Sequence, residues 1–201
     1  MGEAIIGFGA VGQALARAFS RKGLAVTVAG RRPPAELAAQ AAAIGPAVRP
    51  APIEEAATAD TVILAMPFDQ HRAVAGTVPD WSGRLLIDAT NAFGVPPDTF
   101  GGLTASEVVA GIYPGSRVVK GFNHLPAAIL AADPEVRGGR RVIFVAGDDG
   151  AAMAIAGTLI RRLGYAPVSL GGLAEGGVLT QARGNTWSPL DFQDLVKFEE
   201  G

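Results

Sequence analysis

The sequence predicts an α/β fold, a doubly wound parallel sheet with helices on both faces, and three observations carry that expectation. Short apolar runs alternate with longer amphipathic or alanine-rich stretches along the chain. Some of these runs, above all Thr61-Val62-Ile63-Leu64-Ala65, are apolar throughout, as in strands buried on both faces of a parallel sheet. The first run breaks into three glycines spaced G-x-G-x-x-G and reopens as a helix.

That first run is Ala4-Ile5-Ile6, followed by Gly7-Phe8-Gly9-Ala10-Val11-Gly12 and then Gln13-Ala14-Leu15-Ala16-Arg17-Ala18-Phe19. A strand, tight turn and helix in this order aim the N–H groups of Gly9, Ala10, Val11 and Gly12 outward. At the first turn of a helix, unpaired donors and the positive dipole end favour a pyrophosphate. Gly7 permits the turn, Gly9 lets phosphates approach the backbone, and Gly12 lets the helix lie close on the strand. With 27 glycines among 201 residues such a pattern arises by accident, so the strand before it and the amphipathic helix after it decide.

The second strand, over 25–29, ends in Gly30-Arg31-Arg32. An NAD site carries a carboxylate about 20 residues past the glycines for the ribose 2′-hydroxyl. Here a small residue and two guanidinium groups stand instead, which favours a 2′-phosphate and hence NADP. A solvated arginine pair in a loop is the plainer alternative.

Pro33-Pro34 closes that loop, and an alanine-rich helix over 35–44 stops at Gly45-Pro46. A short strand over 48–51 and a brief helix over 53–57 precede the buried strand 61–65, which leaves through Met66-Pro67-Phe68-Asp69. Strand ends of an open parallel sheet share a rim with the glycine loop, so Ala65, Met66 and Pro67 are expected to line the cofactor cleft. A helix over 70–76 carries His71 among Asp69, Gln70 and Arg72, and this polar setting predicts an exposed histidine. Leu85-Leu86-Ile87-Asp88 is a fifth strand leaving through Ala89-Thr90-Asn91. Asn91 is a candidate for the nicotinamide amide or ribose, or for an Asx-type turn. Thr104-Ala105-Ser106-Glu107 caps a helix over 105–113 that ends at Pro114-Gly115. A sixth strand over 117–122 exits into Asn123-His124-Leu125-Pro126-Ala127. A strand over 142–146, a helix over 150–163 and a strand over 166–170 continue the rhythm.

The length suits a single domain over residues 1–170 with a small C-terminal appendage over 171–201. A net charge of -2, with 18% charged residues and no basic block, speaks against nucleic acid or an anionic membrane and for small-molecule ligands. With no cysteine there is no disulfide, thiolate metal site or thiol nucleophile. The first strand leaves no room for a secretory leader and no apolar run reaches membrane length, so a cytoplasmic location is expected.

Lys120 and Asn123 form K-x-x-N, similar to the catalytic pair of β-hydroxyacid dehydrogenases. That pair needs a helix to share a face, whereas a strand separates the two. His124, on a rim loop, is a candidate acid or base without an assigned carboxylate partner. No Ser/His/Asp set, paired acids or metal cluster stands out. Hydride passed directly between two cofactor rings needs no protonating side chain, only rings held face to face. Gly121, Leu125, Pro126 and Ala127 suit such a stacking pocket.

The glycine loop from Gly7 to Gly12, Gly30-Arg31-Arg32, Ala65-Met66-Pro67, Val118-Val119-Lys120-Gly121-Phe122-Asn123 and Gly147-Asp148-Asp149 together resemble the NADP reductases that use the deazaflavin coenzyme F-420. They are also similar to the soluble domain of six-transmembrane ferric reductases. The resemblance implies a Rossmann-type domain binding NADP(H), with Gly9 to Gly12 and Arg31 on the phosphates, assisted by Arg32. Met66 and Pro67 would lie on the ribose side, and Asn91 and Asn123 near the nicotinamide. A second ring would stack near Leu125, Pro126 and Ala127, supplied by deazaflavin F-420, FMN or FAD. The segment from Leu179 to Gly201, with Trp187, Phe192 and Phe198, would close that pocket or a homodimer interface. A small polar residue is expected at Gly30 and a basic one near Pro34-Ala35, and their absence leaves the phosphate to Arg31 and Arg32. The expected activity is hydride exchange between NADP(H) and the deazaflavin or a flavin. The alternatives are an NADPH-dependent reductase of a small carbonyl or imine, with His124 or water as proton donor, and a non-catalytic NADP(H) sensor.

Overall fold

The computed structural model describes residues 2–182, 188 and 190–193. The chain begins with β1 (Glu3–Ile6), α1 (Ala10–Arg21), β2 (Val26–Ala29), α2 (Pro34–Ile44), β3 (Val48–Pro50), α3 (Ile53–Ala56) and β4 (Thr61–Leu64). It continues with α4 (His71–Ala75), β5 (Leu85–Asp88), α5 (Ala105–Ile112), β6 (Arg117–Gly121) and α6 (Ala127–Ala131). The last elements are β7 (Glu135–Val136), β8 (Gly139–Arg140), β9 (Val142–Gly147), α7 (Gly150–Arg162), β10 (Ala166–Ser169) and α8 (Leu173–Leu179).

Eight strands form one sheet in the order β10-β9-β6-β5-β4-β1-β2-β3, and β7 pairs with β8 in a separate hairpin. The parallel strands β3, β2, β1, β4, β5 and β6 wind outward in both directions from the β1–β4 boundary. This is the doubly wound order, whose crevice opens where the winding reverses. The strands are apolar because both faces are covered: β4 and β5 are buried at every position. One core unites Ile5, Ile63 and Ile87 with Leu15 and Phe19 of α1 and Ile160 of α7. A second unites Ile6, Val62 and Leu86 with Val74, Val109 and Tyr113.

The expected parallel rhythm fails at one junction, where β9 runs antiparallel to β6. A parallel neighbour requires a crossover that carries the chain back along the strand. The only helix between these strands, α6, has five residues and rises roughly 7.5 Å. The chain then spends its length on the β7–β8 hairpin and enters the sheet from the end at which β6 leaves it. β9, α7 and β10 form a further parallel unit with the reversed direction.

Helix α5 starts with the capping box anticipated at Thr104 and Glu107. Asp149 caps α7 through Ala152 N at 2.8 Å, while Asp148 Oδ1 accepts from Leu173 N at 3.0 Å as α8 begins. Helix α1 has no side-chain cap and no acidic residue in its first turn, so its amino-terminal donors stay open. Beyond α8, Asp191 pairs with Arg141 at 2.7 Å and the Phe192 ring packs on Phe144. Trp187 and Phe198 lie outside the described residues. No described helix is long and apolar enough to cross a membrane.

Candidate functional site: two cavities flanking the glycine loop

At the β1–β4 boundary the two strand exits touch. Gly7 has φ +106°, and a Cβ there would fall 2.4 Å from the Ala65 carbonyl oxygen. A Cβ on Gly12 would fall 1.8 Å from the Gly7 carbonyl oxygen, so α1 can close on the loop only through a glycine. Gly9 differs, since a Cβ there meets nothing within 4 Å. It caps α1 from extended backbone and borders open space.

On one side of this loop lies a cavity of about 490 Å³. Gly7, Phe8 and Gly9 form its floor, Ala65, Met66 and Pro67 one wall, and Gly30, Arg31 and Arg32 another. The structure brings these nine residues together around one cavity. Both arginines are exposed, and Arg32 Nη2 donates to Gln40 Oε1 at 2.8 Å. Gln70, Ala73 and Val74, at the start of and within α4, complete the outer wall.

A second cavity, about 480 Å³, opens on the other side. Val11 of the glycine loop borders it, together with Ala89, Asn91, Asn123, Leu125, Pro126 and Ala127. Ala10 is exposed, and Gly12 is buried under the helix. Gly121 does not reach this cavity: the space above its Cα is filled by Ile87 and Val145 at 3.4 Å, because it is still inside the sheet. Phe122, at φ +62°, turns the chain out of β6 and packs its ring against Tyr165.

Neither amide forms a local Asx turn by its side chain. Asn91 Nδ2 donates to Asn123 O at 2.8 Å, and Asn91 Oδ1 accepts from Ala182 N at 3.0 Å. Asn123 Nδ2 donates to Thr180 O at 3.0 Å. The amides thus lash the exits of β5 and β6 to the end of α8.

His124 is 1% exposed, with its ring 5.1 Å from that of Phe144. Neither ring nitrogen has a hydrogen-bond partner in ordinary geometry among the described residues. Burial pushes the imidazole down to about 4, with the Val142 backbone only partly opposing the shift. His124 borders the second cavity, and a ring kept neutral at this depth carries no imidazolium proton at neutral pH.

The exposed position expected for His71 is incorrect: it is fully buried. Its polar sequence neighbours face outward while the ring turns inward to Tyr113 Oη at 3.1 Å and Thr90 Oγ1 at 3.0 Å. Thr90 donates through both its hydroxyl, at 2.7 Å, and its N–H, at 2.9 Å, to Asp88 Oδ1. Lys120 Nζ donates to Asp88 Oδ2 at 2.9 Å and also to the Thr90 carbonyl. Lys120 is a strand residue, as expected, and its amine serves this carboxylate. Burial works to raise the Asp88 carboxyl, but the Lys120 ammonium, His71 and the hydrogen bonds hold it below its ordinary value. Burial and, secondarily, Lys120 keep His71 neutral against the pull of Asp88. A carboxylate only accepts, so the Thr90 hydroxyl donates to Asp88 and receives His71 Nε2–H. Nδ1 is then the acceptor for Tyr113. The residue types were visible in the sequence, but their convergence requires the β4–β5–β6 register. No group of three or more His, Cys, Asp or Glu residues suited to a metal occurs among the described residues.

Comparison with known proteins agrees with this architecture. Residues 4–92 match the family described as NADP oxidoreductase, coenzyme F420-dependent. A hypothetical protein of Sinorhizobium meliloti, SMa0349, superposes with a TM-score of 0.90 at 40% identity, over 96% of this chain and 95% of that one. A protein of Arthrobacter sp. FB24, to which F420-dependent NADP-reductase activity has been ascribed, superposes with a TM-score of 0.69 at 29% identity, over 86% of each chain. The metalloreductase STEAP3 of Rattus norvegicus is 28% identical over 177 residues, 85% of this chain. The chain spans about a third of that curated relative, the aligned part being 34% of its length.

Proposed function

We propose, from the match of residues 4–92 to the coenzyme F420-dependent NADP oxidoreductase family, that the chain exchanges hydride between NADP(H) and a deazaflavin or flavin. The observation that carries this reading is the pair of cavities sharing the glycine loop as their common wall, one bordered by two arginines and the other by small apolar residues. In this reading Arg31 and Arg32 take the 2′-phosphate through guanidinium forks, and the open N–H groups of α1 take the pyrophosphate. Phe8, Met66 and Pro67 shape the adenosine side. Val11 and the rim between Asn91 and Asn123 receive the nicotinamide. The nicotinamide and the second ring bring the hydride chemistry with them; the chain holds the rings in contact and keeps water out. Leu125, Pro126 and Ala127 give the second ring an apolar platform.

The test is anaerobic oxidation of NADPH by the pure protein with the deazaflavin, FMN, FAD or no acceptor. Bleaching of one of these rings at the expense of NADPH supports the two-ring reading and names the partner. Binding of NADPH without reduction of any of them overturns it, and turns the second cavity over to a small carbonyl or imine or to no substrate. Arg31→Ala combined with Arg32→Ala weakens NADPH by at least about tenfold while leaving NADH within about twofold. Equal losses for the two cofactors remove the 2′-phosphate assignment.

A further inference from the structure

The buried polar chain from Tyr113 through His71, Thr90 and Asp88 to Lys120 uses charged and titratable groups that the proposed hydride transfer does not need. Their burial is costly unless every member is satisfied, and here each is hydrogen-bonded. Its place in the fold gives it a task. His71 sits on α4 between Gln70 and Ala73, both on the outer wall of the arginine-bordered cavity. Thr90 sits between Ala89 and Asn91, both on the wall of the apolar cavity. The contact from His71 Nε2 to Thr90 Oγ1, at 3.0 Å, therefore ties α4 on one wall to the β5 exit on the other, in addition to the backbone pairing of β4 with β5. Asp88 and Lys120, one on each of the neighbouring strands β5 and β6, fix the Thr90 end through three hydrogen bonds to its N–H, hydroxyl and carbonyl. Tyr113 fixes the His71 end from the C-cap of α5.

We infer that the His71–Thr90 hydrogen bond is a positioning device that holds the two cavity walls at the separation a whole dinucleotide requires. This rests on the proposed NADP(H) site. Neither residue lines a cavity; each acts through its neighbours. A ligand that occupies only the arginine-bordered cavity is indifferent to the tie, whereas one that spans both cavities depends on it.

The experiment compares the full-length wild type with Thr90→Val, which keeps the side-chain shape but removes the hydroxyl, and with Thr90→Ser, which restores it. Tyr113→Phe is the second probe, loosening His71 from the opposite side without touching the rim. Calorimetry measures adenosine 2′,5′-bisphosphate, which lacks the nicotinamide half, and NADP⁺. Thr90→Val binds the bisphosphate within about twofold of wild type and NADP⁺ about tenfold more weakly, the loss expected for one hydrogen bond's worth of positioning. Thr90→Ser binds both as wild type does, and Tyr113→Phe shows the same selective loss to a smaller degree. Equal weakening of both ligands, or no weakening of NADP⁺, overturns the inference. If Thr90→Val does not fold, the same two outcomes are read from Tyr113→Phe. Wild-type protein that binds neither ligand overturns the proposed function and this inference together. Normal wild-type binding with unchanged variants overturns this inference alone.

Discussion

The side-chain amide of Asn91 donates to the backbone carbonyl of Asn123 at 2.8 Å, and the Asn123 amide returns toward Asn91 Oδ1 at 3.3 Å. These contacts join the exits of β5 and β6, and both amides also reach the chain beyond α8. Asn91→Ala removes the acceptor of Ala182 N and one donor to Asn123 O. It is expected to destabilise the protein by about 1–3 kcal/mol in urea unfolding. Because the two residues share one network, Asn91→Ala with Asn123→Ala costs less than the sum of the single changes. Strict additivity in this cycle would show the two amides to be independent.

The three glycines separate by what surrounds them. Gly12→Ala drives a methyl group into the Gly7 backbone, and the expected loss exceeds about 3 kcal/mol because backbone cannot move aside as a flexible side chain can. Gly9→Ala places a methyl in open space. It should melt within about 2 °C of wild type and lose NADP(H) binding by at least about tenfold. Thermal melts with and without NADP⁺ read both quantities. A Gly9→Ala protein that the cofactor still stabilises would remove the loop from the phosphate site.

Stability depends on pH through groups whose native pKa values are depressed. Burial lowers His71 and His124 from 6.5, the latter to about 4. Below pH 6.5 the unfolded chain therefore binds more protons than the folded one. Stability is complete above that value and falls as the pH drops below it, for His124 down to about 4, by at most about 1.4 kcal/mol per pH unit for each histidine. Asp88, also held low, adds a loss only as the pH falls below the ordinary carboxylate value of 3.8. Urea unfolding at pH 7.5, 6.0 and 5.0 should show this decline, and His124→Leu should flatten it. A variant with the wild-type slope would show that His124 does not contribute.

The second cavity can be blocked from its rim. Ala127 opens α6 and is half-buried at the cavity edge. Ala127→Phe fills space meant for the acceptor ring. Steady-state kinetics should show the acceptor KM rising about tenfold or more while the NADPH KM stays within about threefold. Parallel increases in both would place the two ligands in one continuous pocket.

Much of this was legible in the sequence because local chemistry and global fold agree there. The glycine turn, the uniformly apolar β4 and the Thr104–Glu107 cap each specify one local structure. The cavity residues from Gly7 to Gly9 and from Ala65 to Pro67 follow, since parallel strand ends share a rim. His71 was not legible because a helix bearing polar neighbours can turn one side chain inward, and its partners Thr90 and Tyr113 are distant in sequence. The direction of β9 was not legible either. An apolar strand has the same composition in both directions, and only the shortness of α6 discriminates. Gly121 was expected at the pocket because β6 ends there, but the chain leaves the sheet one residue later, at the positive φ of Phe122.

The empty space beside Gly9 bears on how this chain can diverge. Two of the three glycines are fixed by the protein's own backbone, so any descendant that keeps the fold keeps Gly7 and Gly12 whatever it binds. Nothing in the protein itself forbids a side chain at position 9. A lineage released from its dinucleotide would drift there first, and a small chiral residue between two retained glycines would mark the moment the scaffold outlived its ligand.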